Sequence, residues 1–172
     1  KNIKLLSLND FPKVRMPKEN GRTFKQNAKI KSVFGFNKFG LPCFADDSGI
    51  CINALNNKPG VKSNRFQIKN GGYKKSFQII INKMKRKNNQ KAFFQSSIAL
   101  TLSKNKTLFF KGVIKGKISK KAVGTNGFGY DPIFIPYGEN KTFAQMNSTK
   151  KNKMSHRYIA TTKLKKFLLN LI

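Results

Sequence analysis

Acidic residues are scarce in this 172-residue chain: six Asp and Glu stand against 36 Lys and Arg, for a formal net charge of +30 at pH 7. The chain also has a single His, two Cys and no Trp. Structural zinc sites take four ligands, mostly from Cys and His, so this composition argues against a zinc site. A metal bound here would be a hard cation with oxygen ligands, Mg²⁺ or Mn²⁺.

Long apolar runs are lacking as well. None approaches the roughly 18 residues that a membrane span needs, and the apolar stretch within Lys1–Leu6 is too short for a secretory signal. Without such a signal, Cys43 and Cys51 are expected to be reduced and buried thiols. The sequence therefore predicts a cytoplasmic protein with no membrane partner.

The chain does contain enough apolar material for a core. Hydrophobic residues make up 38% of it, and 16 residues are Phe, which argues against intrinsic disorder. The length fits one domain that spans residues 1–172.

The positive charge leaves two alternatives open. A basic surface attracts polyanions because each neutralised phosphate releases counterions, so one alternative is a basic nucleic-acid-binding protein without enzymatic activity. Lys is nevertheless spread along the whole chain and interleaved with Asn, as a general compositional bias would produce, and no nucleic-acid-binding module is visible. Charge alone does not decide between them.

Two of the six acids, Asp46 and Asp47, are adjacent. Neighbouring carboxylates repel each other and lose solvation on burial, so they need a cation or a proton to coexist. The segment Asp46–Gly49 is also good turn chemistry. The residues alone leave a functional pair and a solvated turn equally open.

Local signals predict three helices. Thr23 and Gln26 form a capping-box pattern that opens a helix, which should end near Phe39 because Gly40 follows. Apolar residues recur at helical spacing within residues 77–84, and Ser155 can cap a last helix.

Short apolar and β-branched segments predict the strands of one sheet. Helices and strands alternate without strict βαβ order, so we expect an α/β fold with a mixed, elongated central sheet flanked by helices. The predicted strands are residues 3–8, 42–45, 50–52, 91–102, 107–118 and 133–135.

Four motifs follow one another in a distinctive order: Glu19–Lys31, Ala45–Phe66, Gly127–Phe134 and Lys151–Arg157. Together they closely resemble the inosine triphosphate pyrophosphatase family, whose members are the non-standard purine, or dITP/XTP, pyrophosphatases. The resemblance covers the chain from about Leu8 onward. It implies hydrolysis of ITP, dITP and XTP to the monophosphate and pyrophosphate, with Mg²⁺ (or Mn²⁺) as cofactor. It also implies a homodimer in the cytoplasm. Nucleic acid is not an expected partner.

The resemblance also implies a phosphate site. Asp47 is the implied proton acceptor, with Asp46 beside it as a second catalytic candidate, and Glu19 and Asp47 are the implied metal ligands. Lys31 and Ser48 would face the phosphates. Such a set fits hydrolysis between the α and β phosphates, which needs a cation, a positioned water and positive groups facing the developing charge.

A second group of residues is implied to bind the base. An aromatic ring can stack on a purine, and donors that meet the 6-keto oxygen of hypoxanthine would be left unpaired by adenine. The implied base-binding residues are Phe128, Gly129, Tyr130, Asp131, Lys151, Ser155, His156 and Arg157.

One family motif is absent: the family opens with a strand and a Thr/Ser-Gly-Asn-x-x-Lys loop, whereas this sequence starts at Lys1. We therefore expect the first strand and helix, roughly two dozen residues, to be missing. The sequence is then either a fragment or a degenerate chain, and the intact downstream motifs favour a fragment. We expect the chain to be weakly active or inactive and prone to aggregate.

Overall fold

The computed structural model describes residues 3–170. Its five strands form one sheet in the order β2-β1-β3-β4-β5. The strands are Cys43–Ile52 (β1), Lys58–Pro59 (β2), Lys91–Ser103 (β3), Lys106–Ile118 (β4) and Phe134–Pro136 (β5). The helices are Phe24–Phe39 (α1), Ser63–Lys69 (α2), Tyr73–Met84 (α3), Ser148–Met154 (α4) and His156–Leu169 (α5).

The two long strands are confirmed. β3 and β4 pair antiparallel along almost their whole length, from Lys91 opposite Lys117 to Ser103 opposite Lys106. Each pair of neighbours within residues 3–170 is antiparallel, so the described sheet has no parallel pair, unlike the mixed sheet that we expected.

The turn alternative for Asp46–Gly49 is wrong, and the strands predicted at 42–45 and 50–52 are one strand, β1. These residues lie in the middle of β1, where Asp46 is opposite Ile98 and Asp47 is opposite Ser97 of β3. Local turn chemistry is overridden because a long partner strand supplies continuous ladder pairing. Since side chains alternate along a strand, the two adjacent carboxylates point to opposite faces of the sheet.

The predicted strand at residues 3–8 is also wrong. No strand forms there; Leu8–Asp10 is a short 3-10 helix whose N-cap is Ser7. The apolar side chains of this segment are exposed, with Leu5 at 69%. Apolar alternation alone does not make a strand, because a strand needs a neighbour to pair with.

The first predicted helix is confirmed at both ends. In α1, Thr23 Oγ1 accepts from Gln26 N at 3.2 Å and Gly40 adopts the left-handed conformation at φ 66°. α1 lies on one face of the sheet, where Ser32 Oγ and Thr101 Oγ1 are 2.9 Å apart.

α5 covers the opposite face. Its Ala160 and Leu164 pack against Ile98 and Leu100 of β3, and Ser155 caps it as predicted, since its Oγ accepts from Tyr158 N at 3.1 Å. Helices therefore flank the sheet on both sides, which confirms the α/β class.

The main hydrophobic core lies on the α5 side of the sheet, below α3. The helix predicted around residues 77–84 is confirmed, and the strand predicted at 133–135 is found one residue later. The buried members of this core include Ile50, Ile52, Phe77, Ile80, Met84, Phe94, Ile133, Phe134 and Phe143.

Both cysteines are free thiols. Cys51 is buried, as predicted, whereas Cys43 is only half-buried. Burial raises the pKa of Cys51 to about 11, against a smaller opposing effect of Lys111, so this thiol stays protonated and unreactive at neutral pH.

Candidate active site

Asp47 lies on the face of the sheet that α1 covers and is 9% exposed. Its two carboxylate oxygens are both occupied: Asn27 Nδ2 donates to Oδ2 at 2.9 Å, and Ser48 N donates to Oδ1 at 3.0 Å. Burial raises the pKa of Asp47, and the hydrogen bond from Asn27 and the charge of Lys31 partly offset that effect. A carboxylate with a raised pKa is suited to accept a proton near neutral pH.

Glu19 and Lys31 join this group. Lys31 Nζ lies 2.6 Å from Glu19 Oε1, and both charges act on Asp47, since Lys31 lowers its pKa and Glu19 raises it. The structure therefore brings together three of the four residues that the resemblance implied for metal and phosphate; the fourth, Ser48, follows Asp47 on β1. We call Glu19, Lys31 and Asp47 the acid cluster.

The acid cluster can be tested for its fit to a metal ion. Within residues 3–170, no three His, Cys, Asp or Glu side chains lie close enough together to hold one. Mg²⁺ is commonly held by only one or two carboxylates, with water and substrate phosphates completing its octahedron. The two carboxylates of the acid cluster fit an ion that arrives with a phosphate substrate, and do not fit an all-protein metal cage.

Asp46 lies on the opposite face of the sheet, beside α5. Its Oδ2 accepts from Arg157 Nε at 3.2 Å, with side-chain exposures of 41% for Asp46 and 46% for Arg157. The adjacent acids coexist because each points to its own face of the sheet and has its own partner there, Asn27 for Asp47 and Arg157 for Asp46.

The edge of β1 connects the two faces. Ile50 N donates to Ser63 Oγ at 3.0 Å, so its N–H points to the edge of β1 that faces away from β3. Backbone N–H groups alternate between the two edges of a strand, so the N–H groups of Ser48 and Asp46 point to that same outer edge. Within residues 3–170, β2 pairs only with Cys51 and Ile52 of β1. An extended anion lying along the edge between Asp46 and Ser48 would meet side chains from both faces.

Near Arg157, the loop of Phe128 is built on a buried ion pair. Asp131 Oδ2 accepts from Phe128 N at 2.7 Å and also from Lys151 Nζ, and the side chains of Asp131 and Lys151 are 3% and 8% exposed. Gly127 is at φ +79°, and a Cβ there would overlap Asp131 and Lys151. The pair therefore fixes the loop conformation.

The ring of Phe128 projects from this loop and is 58% exposed. Two cations lie over it: Lys151 Nζ is 4.4 Å and the Arg157 guanidinium carbon 4.9 Å from the ring centroid. An exposed aromatic face next to two fixed cations can stack on a base and donate to its carbonyl oxygens. We call Phe128, Lys151 and Arg157 the aromatic clamp.

His156 is buried behind the aromatic clamp and stacks on Phe94, with centroids 4.8 Å apart and planes 10° apart. Burial lowers the pKa of His156 to about 3, and Arg157 and Lys151 act in the same direction. The imidazole is therefore neutral at physiological pH, with one nitrogen as donor and one as acceptor. Its buried Nδ1 has no partner among the described residues.

Two of the predicted base-binding residues have other partners. Tyr130 is 3% exposed, donates to Ser63 O at 2.9 Å and packs edge-on against Phe77 and Tyr73, so its ring supports the loop from the core. Ser155 caps α5 with its hydroxyl.

Comparison with known proteins agrees with this geometry. The sequence profile of the Ham1 family matches residues 1–167. The chain belongs to the Ham1 family. Two relatives are the dITP/XTP pyrophosphatases of Christiangramia forsetii, 39% identical over 98% of this chain and 88% of that protein, and of Halalkalibacterium halodurans, 40% identical over 94% and 84%. The predicted resemblance is confirmed, and the nucleic-acid-binding alternative is not supported.

Solved Ham1 structures have the same fold. The Ham1 protein of Staphylococcus aureus superposes with a TM-score of 0.86 at 34% identity and covers 96% of this chain and 84% of that one. A HAM1 protein from Coxiella burnetii superposes with a TM-score of 0.87 at 37% identity and covers 91% of this chain and 82% of that one.

None of the helices in residues 3–170 is long and apolar enough to cross a membrane.

Sequence reasoning missed three residues of this Ham1 site. Asn27 binds Asp47, Phe94 supports His156, and Ser63 joins the β1 edge to the Tyr130 loop. Asn27 and Ser63 lie within the motifs Glu19–Lys31 and Ala45–Phe66, and Asn27 also lies one helical turn before Lys31 and so shares its face of α1.

Proposed function

We propose that this chain hydrolyses deaminated purine nucleoside triphosphates, ITP, dITP and XTP, to the monophosphate and pyrophosphate. The observation that carries the proposal is the placement of two groups on opposite faces of the sheet beside β1: an acid cluster suited to a metal-bound phosphate, and an aromatic clamp whose exposed ring is suited to a purine with a 6-keto group. The relatives named dITP/XTP pyrophosphatase support the same reaction.

Asp47 is the proposed proton acceptor. Water attacks the α phosphorus, the bond from that phosphorus to the bridging oxygen breaks, and pyrophosphate leaves with the electron pair while the water proton passes to Asp47. Lys31 and the hydroxyl of Ser48 are proposed to donate to the phosphate oxygens. Asp47 and Glu19 would hold Mg²⁺ (or Mn²⁺), which when bound neutralises charge on the triphosphate.

The aromatic clamp is proposed to select the base. Phe128 stacks on the purine, and Arg157 and Lys151 donate to the 6-keto oxygen. Asp131 accepts one N–H of Lys151, which leaves two N–H groups of the ammonium free to donate. His156 and Ser155 lie at the start of α5, next to Arg157, and complete the proposed base-binding site. Adenine presents a donor amine at the same position, so these donors would be left unpaired.

Asp46 has a different proposed role from Asp47. It lies on the clamp side of the sheet and binds Arg157. We therefore propose that Asp46 orients the clamp and lines the β1 edge along which the triphosphate would lie.

We further propose, from the family resemblance alone, that the protein is a homodimer and acts in the cytoplasm.

The proposal is tested by pyrophosphate release in the presence of Mg²⁺ from ITP, XTP, ATP and GTP. We expect ITP and XTP to be hydrolysed at least about a hundredfold better than ATP by kcat/KM, because the wrong base leaves donors unpaired. Equal turnover of ATP and ITP would contradict the assignment of the clamp. Turnover without any added divalent cation would contradict the metal assignment.

A further inference from the structure

A single buried amide links the segments that carry the acid cluster. Asn27 is fully buried. Its Oδ1 accepts from the backbone N of Gly21 at 2.8 Å, and its Nδ2 donates to Asp47 Oδ2 at 2.9 Å. The loop before α1, the helix α1 and the strand β1 therefore meet at one side chain.

Both contacts depend on an amide. Asn has an acceptor oxygen and a donor NH₂ on one carbon; Leu of similar shape offers neither, and Asp would accept from Gly21 but repel Asp47. Position 21 must also be glycine for this contact, because a Cβ there would overlap Asn27 Oδ1. The contact thus depends on both the amide of Asn27 and the missing side chain of Gly21.

The residues around this amide are those of the acid cluster. Glu19 lies two residues before Gly21, and Lys31 lies one helical turn after Asn27 on the same face of α1. The side chain of Asn27 is enclosed, so it acts on the cluster through Asp47 and Gly21 rather than by touching a substrate.

We infer that Asn27 is a positioning residue that holds Asp47 in register with Glu19 and Lys31, a role that rests on the function proposed above. Its amide binds Oδ2 of Asp47 and so fixes the rotation of that carboxylate. Its carbonyl holds the Gly21 amide and so fixes the loop that carries Glu19. Loss of Asn27 frees both groups at once.

The test compares Asn27→Leu with Ser32→Ala. Ser32 is a matched control: it is fully buried on the same helix, and its hydroxyl bonds Thr101 of the sheet and Lys29 O, with no side-chain hydrogen bond to the acid cluster among the described residues. We expect Asn27→Leu to lower kcat on ITP by about 10- to 100-fold, as losses of groups that orient a metal ligand do, while KM changes by less than about threefold. Ser32→Ala should keep kcat within about twofold of the parent.

A second measurement does not depend on activity. Native-state hydrogen exchange at the Gly21 amide should be slow in the parent and in Ser32→Ala, and fast in Asn27→Leu. Asn27→Asp, which keeps the shape and the acceptor, should retain slow exchange at Gly21 and still lose kcat, and it serves as the test if Asn27→Leu does not fold.

The outcomes are separable. If the parent is active on ITP and Asn27→Leu matches Ser32→Ala in kcat and in Gly21 exchange, the positioning role is overturned. If neither the parent nor a chain extended with the family's opening strand and loop releases pyrophosphate from ITP, but Gly21 exchange still depends on Asn27, the proposed function fails and the structural link remains.

Discussion

The buried pair of Lys151 and Asp131 allows a quantitative prediction. In Lys151→Met the aliphatic volume is nearly kept, while the ammonium that neutralises Asp131 is lost. Asp131, whose side chain is 3% exposed, keeps only the hydrogen bond from Phe128 N. Removing one partner of a buried ion pair costs about 3–5 kcal/mol of unfolding free energy.

Lys150→Met is the matched control on the same helix. Lys150 pairs with Glu139 at 2.6 Å but its side chain is 54% exposed, and pairs of this kind contribute at most about 1 kcal/mol. Two identical substitutions one residue apart should therefore differ severalfold in their effect on stability.

The cost of Lys151→Met should also depend on pH. Burial raises the pKa of Asp131, and Lys151 and the Phe128 amide lower it, so loss of Lys151 raises that pKa further. Between the unfolded pKa near 4 and the raised folded pKa, the folded state binds more protons, and stability falls as pH rises, by up to about 1.4 kcal/mol per pH unit. The penalty should therefore be smaller at pH 5 than at pH 8.

The assay is urea unfolding of the parent and both variants at pH 5 and pH 8. A penalty for Lys151→Met that equals that of Lys150→Met, or that does not change with pH, would refute the reasoning. Asp131→Asn combined with Lys151→Met should recover part of the loss, because the unpaired charge is removed.

Three further predictions follow from the clamp and its surroundings. Burial holds the pKa of His156 near 3, below its unfolded value of about 6.5. The unfolding free energy of the parent should therefore fall by up to about 1.4 kcal/mol per pH unit between pH 6.5 and pH 5. Urea unfolding should show a smaller pH dependence in His156→Gln, and an equal one would contradict the burial argument. Phe128→Ala should lower kcat/KM on ITP by about 5- to 150-fold, equivalent to about 1–3 kcal/mol of stacking, with thermal unfolding nearly unchanged because the ring is 58% exposed; an equal loss on all nucleotides with a collapsed melting temperature would indicate damage to the fold instead. Asp46→Asn should change the unfolding free energy by less than about 1 kcal/mol, since its pair with Arg157 is exposed, and a larger loss in chemical unfolding would show that the pair is structural.

The elements that could be predicted from sequence are those whose signals are local. The capping box at Thr23 and the glycine at position 40 fixed both ends of α1, and long alternation marked β3 and β4. The errors arose where a distant partner decides the outcome. Asp46–Gly49 has the composition of a turn, yet pairing with β3 makes it a strand.

The site followed the same pattern. The family resemblance grouped Glu19, Lys31 and Asp47, and the structure places these three side chains together, while their roles stay a prediction. The motifs could not show that Asp46 faces the other side of the sheet or that Tyr130 lies in the core. Both facts depend on strand register and packing across more than forty residues of sequence.

The central claim is that the acid cluster cleaves the triphosphate of a purine selected by the aromatic clamp. Its most direct test is kcat/KM for pyrophosphate release from ITP and from ATP, measured with Mg²⁺ for the parent chain and for Asp47→Asn. We predict at least about a hundredfold preference for ITP in the parent and a loss of at least about a hundredfold on ITP in Asp47→Asn. A parent that turns over ATP and ITP equally, or an Asp47→Asn variant that keeps the parent rate, would contradict the account.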